Sequence, residues 1–209
     1  MPRLAIFDLD GTLVDSVDDI AAAVNHGLSA AGLPPRSRDE VRRFVGDGAR
    51  ALLERAVGPR RDRLEEAFAS YRAYYLGHLL VHTHPYPGVV EVLAAAGRTL
   101  AVHTNKPADM ARGVLEGLGL LSRFAVVLGG GEAPAKPDPA GVRAILDRTG
   151  AGPGEAVFVG DSPVDVATAR NAGVAFVGVT WGLAERAELV RAGAEHLVDR
   201  AAELAPWLA

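Results

Sequence analysis

Short apolar runs that stop at glycine or a small polar residue, each followed by a helical pattern, constrain this chain more than any other feature. Leu4 to Phe7 is the first run, and it meets Asp8 and Asp10. Residues 99–103 end at Thr104 and Asn105, residues 124–128 at a triple glycine, and residues 156–159 at Gly160-Asp161. Residues 174–179 make a fifth. Runs this short and this continuously apolar need cover on both faces, and the helical patterns over 107–118, 139–148 and 164–172 provide it. Prolines near the first two helix starts and glycines near the ends punctuate them. The expected fold class is α/β, with a Rossmann-like parallel sheet at its core.

Residues 16–82 break the rhythm. They hold three or four helical patterns and no convincing strand: one over 17–30, one beginning at Ser37 with the Ser37/Glu40 capping-box spacing, and a stripe at Leu52, Leu53, Ala56 and Val57. A last stripe runs through Leu64, Ala67, Phe68, Tyr71 and Tyr75 at three- and four-residue spacing. An all-helical insertion after the first strand of such a sheet predicts a lid over the C-terminal strand edge, where these folds place ligands. The expected division is a catalytic core of residues 1–15 and 83–209 and a helical cap of 16–82. The cap carries ten Arg against nine Asp and Glu, a charge of +1, so the remainder is at −5.

Acidic residues gather where the runs end. Asp8 and Asp10 alternate before Gly11, and two carboxylates that close repel unless a cation or shared proton intervenes. A regular strand would put both on one face; a turn straight after Asp8 would separate them. Asp161 and Asp165 follow another run, with Asp165 in the first turn of a helix, where it can also serve the helix dipole. Thr104 and Asn105 stand before a third helix start, with donors suited to phosphate oxygens or simply to capping. Lysine usage sharpens the picture. The chain has 20 Arg and only two Lys, Lys106 and Lys136, both beside prolines in these loops. An ammonium is a compact point charge and a guanidinium a planar fork, so the exceptions mark places where the point charge matters. Oxygen ligands beside a phosphate site suit a hard divalent ion such as Mg²⁺.

The 209 residues carry a net charge of −4 with both signs interspersed, which argues against nucleic acid as a partner. With no cysteine, thiol catalysis, disulfides and Cys-ligated metals are excluded. No stretch approaches the roughly 18 apolar residues of a membrane span, and the apolar run after Met1 is too short for a signal peptide. The expectation is a cytoplasmic monomer or homodimer that handles a small anionic phosphate ester and touches no membrane.

FDLDGTLVDS, HTNKP, AKPDP and GDSPVD, in that order, resemble the four motifs of the haloacid dehalogenase superfamily, and the two-Asp first motif is its phosphatase form. Within the superfamily, DGTLVDSVDDI, FVGDGARALLERAVG and YPGVVEVLAAAG are similar to the phosphoglycolate phosphatase family. Phosphatases for pyrophosphate and sugar phosphates share much of the pattern. The resemblance implies Mg²⁺-dependent hydrolysis through an aspartyl phosphate on Asp8, which also touches the metal. It implies acid–base work by Asp10, whose main-chain carbonyl is a metal ligand. Thr104, with Asn105 beside it, would bind phosphate; Lys136 would neutralise nucleophile and phosphate; Asp161 would ligate the metal and Asp165 support that site. Substrate choice is expected from the cap, with Arg43, Gly46 and Arg50 as candidates and Gly48 shaping the same loop. Asn25 and His26 are equally open to a packing or a substrate role, and His82 and His84 are expected to be hinge residues.

Overall fold

The computed structural model describes residues 3–209. At its centre lies β1 (Leu4–Phe7), fully buried. Leu4 and Ile6 face one layer of core, Ala5 and Phe7 the other, as the two-residue pleat dictates. The chain then runs through β2 (Val14–Asp15) into four helices, α1 (Val17–Ala30), α2 (Arg38–Phe44), α3 (Ala49–Val57) and α4 (Leu64–Leu76). It returns through β3 (His84–Pro85) to α5 (Val89–Ala94), β4 (Thr99–Pro107), α6 (Ala108–Gly117) and β5 (Val126–Gly130). The remaining elements are α7 (Ala140–Thr149), β6 (Ala156–Gly160), α8 (Pro163–Ala172), β7 (Ala175–Val179), α9 (Arg186–Ala192), β8 (Leu197–Val198) and α10 (Ala205–Leu208).

Six strands pair in the order β5-β4-β1-β6-β7-β8, all in parallel. Helices α5, α6 and α10 cover the Ala5/Phe7 face, and α7 and α8 the Leu4/Ile6 face. The chain builds outward from β1 on both sides, so the crevice at the C-terminal end of β1 is the point where strand order reverses. Phe7 lies level with Val102 and with Val159, which brings Asp8 beside the ends of β4 and β6.

Two features differ from the sequence expectation. Strand β4 does not stop at His103 but continues to Pro107, which pairs with Gly130 after an irregularity. The glycines make this possible: a Cβ on Gly129 would lie 2.3 Å from Ala108, and one on Gly130 2.6 Å from the Asn105 carbonyl oxygen. The second feature is the antiparallel pairing of β2 with β3, Val14 opposite Pro85 and Asp15 opposite His84. Two-residue strands have no period to read, yet this ribbon binds the two connections of the helical insertion together.

The insertion has its own apolar core. Ile20, Val24 and Leu28 of α1 meet Ala67, Tyr71 and Tyr75 of α4, and Met110 of α6 reaches in from the sheet side. A fully buried side chain of this size contributes about 1.5–3 kcal/mol. Gly27 sets the approach of α1 to α4, since a Cβ there would stand 2.4 Å from the Ala67 carbonyl oxygen. Ser37 and Glu40 form both halves of the expected capping box. At the hinge, buried Asp19 accepts the His82 N–H at 3.0 Å, the Thr83 N–H at 2.8 Å and the Thr83 hydroxyl at 2.7 Å. Among the described residues, no helix is long and apolar enough to cross a membrane.

Candidate active site

Strand β1 ends at Phe7, and the turn that follows separates the two carboxylates that the alternating pattern left together. Asp8 turns toward Lys136, whose Nζ lies 2.8 Å from Asp8 Oδ1 and 2.7 Å from Asp165 Oδ1. Asp10 turns the other way: its Oδ1 accepts the Ser16 hydroxyl at 2.6 Å and the Lys106 ammonium at 2.9 Å. Each carboxylate thus has its own lysine. Both ammonium groups are almost wholly out of solvent.

Lys136 is held by its backbone as well as its charge. Asn105 accepts the Lys136 N–H at 2.8 Å and donates to the Lys136 carbonyl at 3.3 Å. The same amide donates to the Gly46 carbonyl at 3.0 Å, tying the cap loop to the end of β4. The Asn105 side chain therefore organises two loops, which leaves its main-chain N–H, the amide following Thr104, as the group available to phosphate. Burial pulls the Lys136 pKa down, but Asp165 and Asp8 more than reverse this, so the ammonium keeps its proton.

Asp161 sits in a tight seat. Its carboxylate accepts the Thr12 hydroxyl at 2.8 Å and the Leu183 N–H at 2.7 Å. A Cβ on Gly11 would lie 2.3 Å from Asp161 Oδ2, and one on Gly182 2.3 Å from Asp161 Cβ. Asp165 has two duties. One oxygen pairs with Lys136, while the other accepts the Ser162 hydroxyl at 2.6 Å and the Ser162 N–H at 3.1 Å in a capping box. Asp165 thus caps the start of α8 and pairs with Lys136 at once.

One oxygen from each of Asp8, Asp161 and Asp165 falls within 4.8 Å of the others. Three buried carboxylates against one ammonium leave an excess of negative charge. Burial, opposed by Lys136 and reinforced by Asp165, lifts the Asp8 pKa to about 6. Burial, then the charges of Asp165 and Asp8, lift that of Asp161 to about 8. Asp8 Oδ1 also lacks an aligned hydrogen bond despite its nearness to Lys136. Under-neutralised carboxylates, an orphaned buried oxygen and an all-oxygen donor set fit a hard divalent cation.

A cavity of about 40 Å³ lies between this floor and the insertion. Asp8, Asp10, Thr104 and Lys106 form its floor, and Ile20, Val45, Leu52 and Tyr71 its apolar roof. The Gly46–Gly48 loop comes down onto β4: a Cβ on Gly48 would lie 3.1 Å from the Asn105 carbonyl oxygen. Thr104 is buried, and its hydroxyl accepts the Lys106 N–H at 3.2 Å. Gly46 is at the cavity as expected, but Arg50 is not. Arg50 turns outward to pair with Glu65 and, at 3.8 Å, with Glu54, because packing α3 against α4 offers it these partners. Arg43 lies on the wall of a second cavity of about 400 Å³, which shares Asp8 and Asp10. Asn25 clamps the Arg36 backbone, and His26 stacks on Tyr74. His82 and His84 lie in the exposed hinge.

The sequence alone assigns no role to Lys106 or Tyr75. The Lys106 ammonium donates to the Tyr75 hydroxyl at 2.6 Å and lies 4.7 Å from the centre of that ring. The rarity of lysine was the signal for Lys106. Tyr75 gave none, being one more member of a helical stripe.

Comparison with known proteins places this geometry in context. The family model for haloacid dehalogenase-like hydrolases matches residues 5–179. The phosphoglycolate phosphatase of Agrobacterium fabrum is 39% identical, over 98% of this chain and 91% of its own. That of Rhodospirillum rubrum is 41% identical, over 100% and 91%. The solved structure of a predicted phosphoglycolate phosphatase from Haemophilus somnus superposes with a TM-score of 0.92 at 33% identity, covering 99% of this chain and 97% of that one.

Proposed function

The chain belongs to the haloacid dehalogenase-like hydrolase family, and from that premise we propose that it hydrolyses 2-phosphoglycolate to glycolate and phosphate through a phosphate carried on Asp8. The observation that carries the chemistry is the assignment of one lysine to each of the two carboxylates that line the cavity, Lys136 to Asp8 and Lys106 to Asp10. Asp8, at the strand end and beside Lys136, is the nucleophile. Its oxygen attacks phosphorus, the bond from phosphorus to the ester oxygen breaks, and the electron pair leaves with that oxygen. Asp10 gives the departing alkoxide its proton, then takes one from the water that displaces Asp8 from phosphorus. Lys136 balances charge on nucleophile and phosphate, and the Thr104 hydroxyl donates to a phosphate oxygen.

Asp8 and Asp161, with Asp165 behind them and the Asp10 main-chain carbonyl, would hold Mg²⁺. When bound, the ion neutralises the crowded carboxylates and draws charge from the phosphate oxygens. Residues 16–82 act as a cap whose hinge is the β2–β3 ribbon, over a core of 1–15 and 83–209. The small roofed cavity favours a short leaving group over a sugar, and it agrees with the substrate that names the curated relatives. The setting is cytoplasmic.

A side-by-side panel of kcat/KM at saturating Mg²⁺ tests the substrate. Phosphoglycolate should exceed pyrophosphate, simple sugar phosphates and an aryl phosphate. Preference for pyrophosphate or a sugar phosphate would replace the substrate and leave the aspartyl-phosphate chemistry standing.

A further inference from the structure

We propose that Lys106 is the specificity-determining residue that receives the carboxylate of the substrate, which restricts the enzyme to short esters bearing their carboxylate next to the phosphorylated carbon. This rests on the phosphoglycolate reading above and says which atom of the protein enforces it. Neither arginine singled out in the cap is placed for the task. Arg50 is engaged on the outer surface, and Arg43 lines the second cavity, which holds neither Thr104 nor Lys106. Among the described residues, Lys106 is the one cation lining the roofed cavity where Asp8, Asp10 and Thr104 meet.

Its ammonium has three N–H donors, of which two are directed at Asp10 and Tyr75. No third acceptor among the described residues takes the remaining donor, and Lys106 lines the cavity. The side chain is 3% exposed, so water competes weakly for that donor. Tyr75 fixes the ammonium from the cap side, while β4 supplies Thr104 for phosphate and Lys106 for the far end of the same small molecule.

The distance between Asp10 and Lys106 sets the length of substrate. Asp10 has to reach the ester oxygen to protonate it, and Lys106 Nζ is only 2.9 Å from the Asp10 carboxylate. Any anion that meets Lys106 while the ester oxygen meets Asp10 must stand close to that oxygen. A carboxylate on the adjacent carbon does so. One carried a methylene farther away overshoots, and a neutral ester leaves the ammonium without its partner.

The experiment compares kcat/KM for 2-phosphoglycolate, 3-phosphooxypropionate and ethyl phosphate across wild type, Lys106→Met and Lys106→Gln. The readout is the ratio of phosphoglycolate to each comparator, which cancels any loss common to all three esters. A charged hydrogen bond predicts that both ratios fall by about ten- to a hundred-fold in the variants. Binding of phosphoglycolate to an Asp8→Asn protein, measured by calorimetry with and without the Lys106 change, should weaken by a similar factor. Circular dichroism identifies the folded variants; Lys106→Gln keeps polar contacts to Asp10 and Tyr75 should Lys106→Met fail to fold. Ratios and binding that stay within about twofold of wild type in a folded variant overturn the role of Lys106 alone. A wild type that shows no preference for the carboxylated ester overturns the substrate reading first.

Discussion

Replacing Asp19 tests whether the hinge is held by a single carboxylate. It is 2% exposed, and two backbone N–H groups and one hydroxyl from the opposite connection converge on it. Asp19→Ala removes the acceptor and strands three donors. Each stranded buried donor costs about 1–3 kcal/mol, and water reaching the nearby exposed hinge recovers part, so about 3–5 kcal/mol should be lost. For a chain of this size that is a fall in Tm of about 6–20 °C. Asp19→Asn keeps one acceptor but turns an NH₂ toward donors, and should cost about 1–3 kcal/mol. Urea unfolding followed by far-UV circular dichroism reads both. The effect also has a pH signature. Burial pushes the Asp19 carboxyl up, but hydrogen bonds from His82 and Thr83 more than offset this and hold it below the usual range. A depressed folded-state pKa means the stabilisation is complete above the unfolded value of about 3.9 and is lost as pH falls through the folded value. The gap between wild type and Asp19→Asn should therefore close on acidification below about pH 4. Variants unfolding at the wild-type urea concentration, or a gap that widens in acid, would refute the clamp.

Three further outcomes are expected. Rapid quench and intact-protein mass spectrometry should find phosphate on Asp8 in the active protein, and Asp8→Asn should neither acquire the label nor turn over. Mg²⁺ should raise the Tm of the metal-free protein in a concentration-dependent way, since it binds the folded carboxylate cluster, and Asp161→Asn should abolish most of that rise. Arg50→Ala should leave kcat/KM for phosphoglycolate within about twofold, because its exposed ion pairs contribute little and lie away from the cavity.

Much of the core was legible because its signals are local. Apolar runs named five strands of the sheet, and the residues that end them, Asp8, Thr104 and Asp161, had to converge once those strands lay parallel. The two lysines stood out against an arginine background, and both proved buried at the centre. The cap yielded less. Its helices and the Ser37/Glu40 box could be read, but which arginine faces inward depends on which partners the helix packing offers, and Glu65 drew Arg50 outward. Tyr75 reaches Lys106 across 31 positions of sequence, and no spacing announces that. Nor does any spacing announce that the Asn105 side-chain amide ties Gly46 to Lys136, because three backbones distant in sequence meet there.

The seat around Asp161 and Asp165 bears on how such an enzyme can change over generations. At Gly11, Gly160 and Gly182 any side chain would drive its first carbon to between 2.3 and 2.5 Å of an aspartate, so drift at those positions is closed without a backbone shift. The roof is different: Ile20, Val45 and Leu52 offer only apolar bulk, and cores accept volume-conserving exchanges at costs below about 1.5 kcal/mol. Mutation can therefore explore new leaving groups through the ceiling while the phosphoryl-transfer floor stays fixed, which lets one scaffold acquire a new ester without losing its reaction on the way.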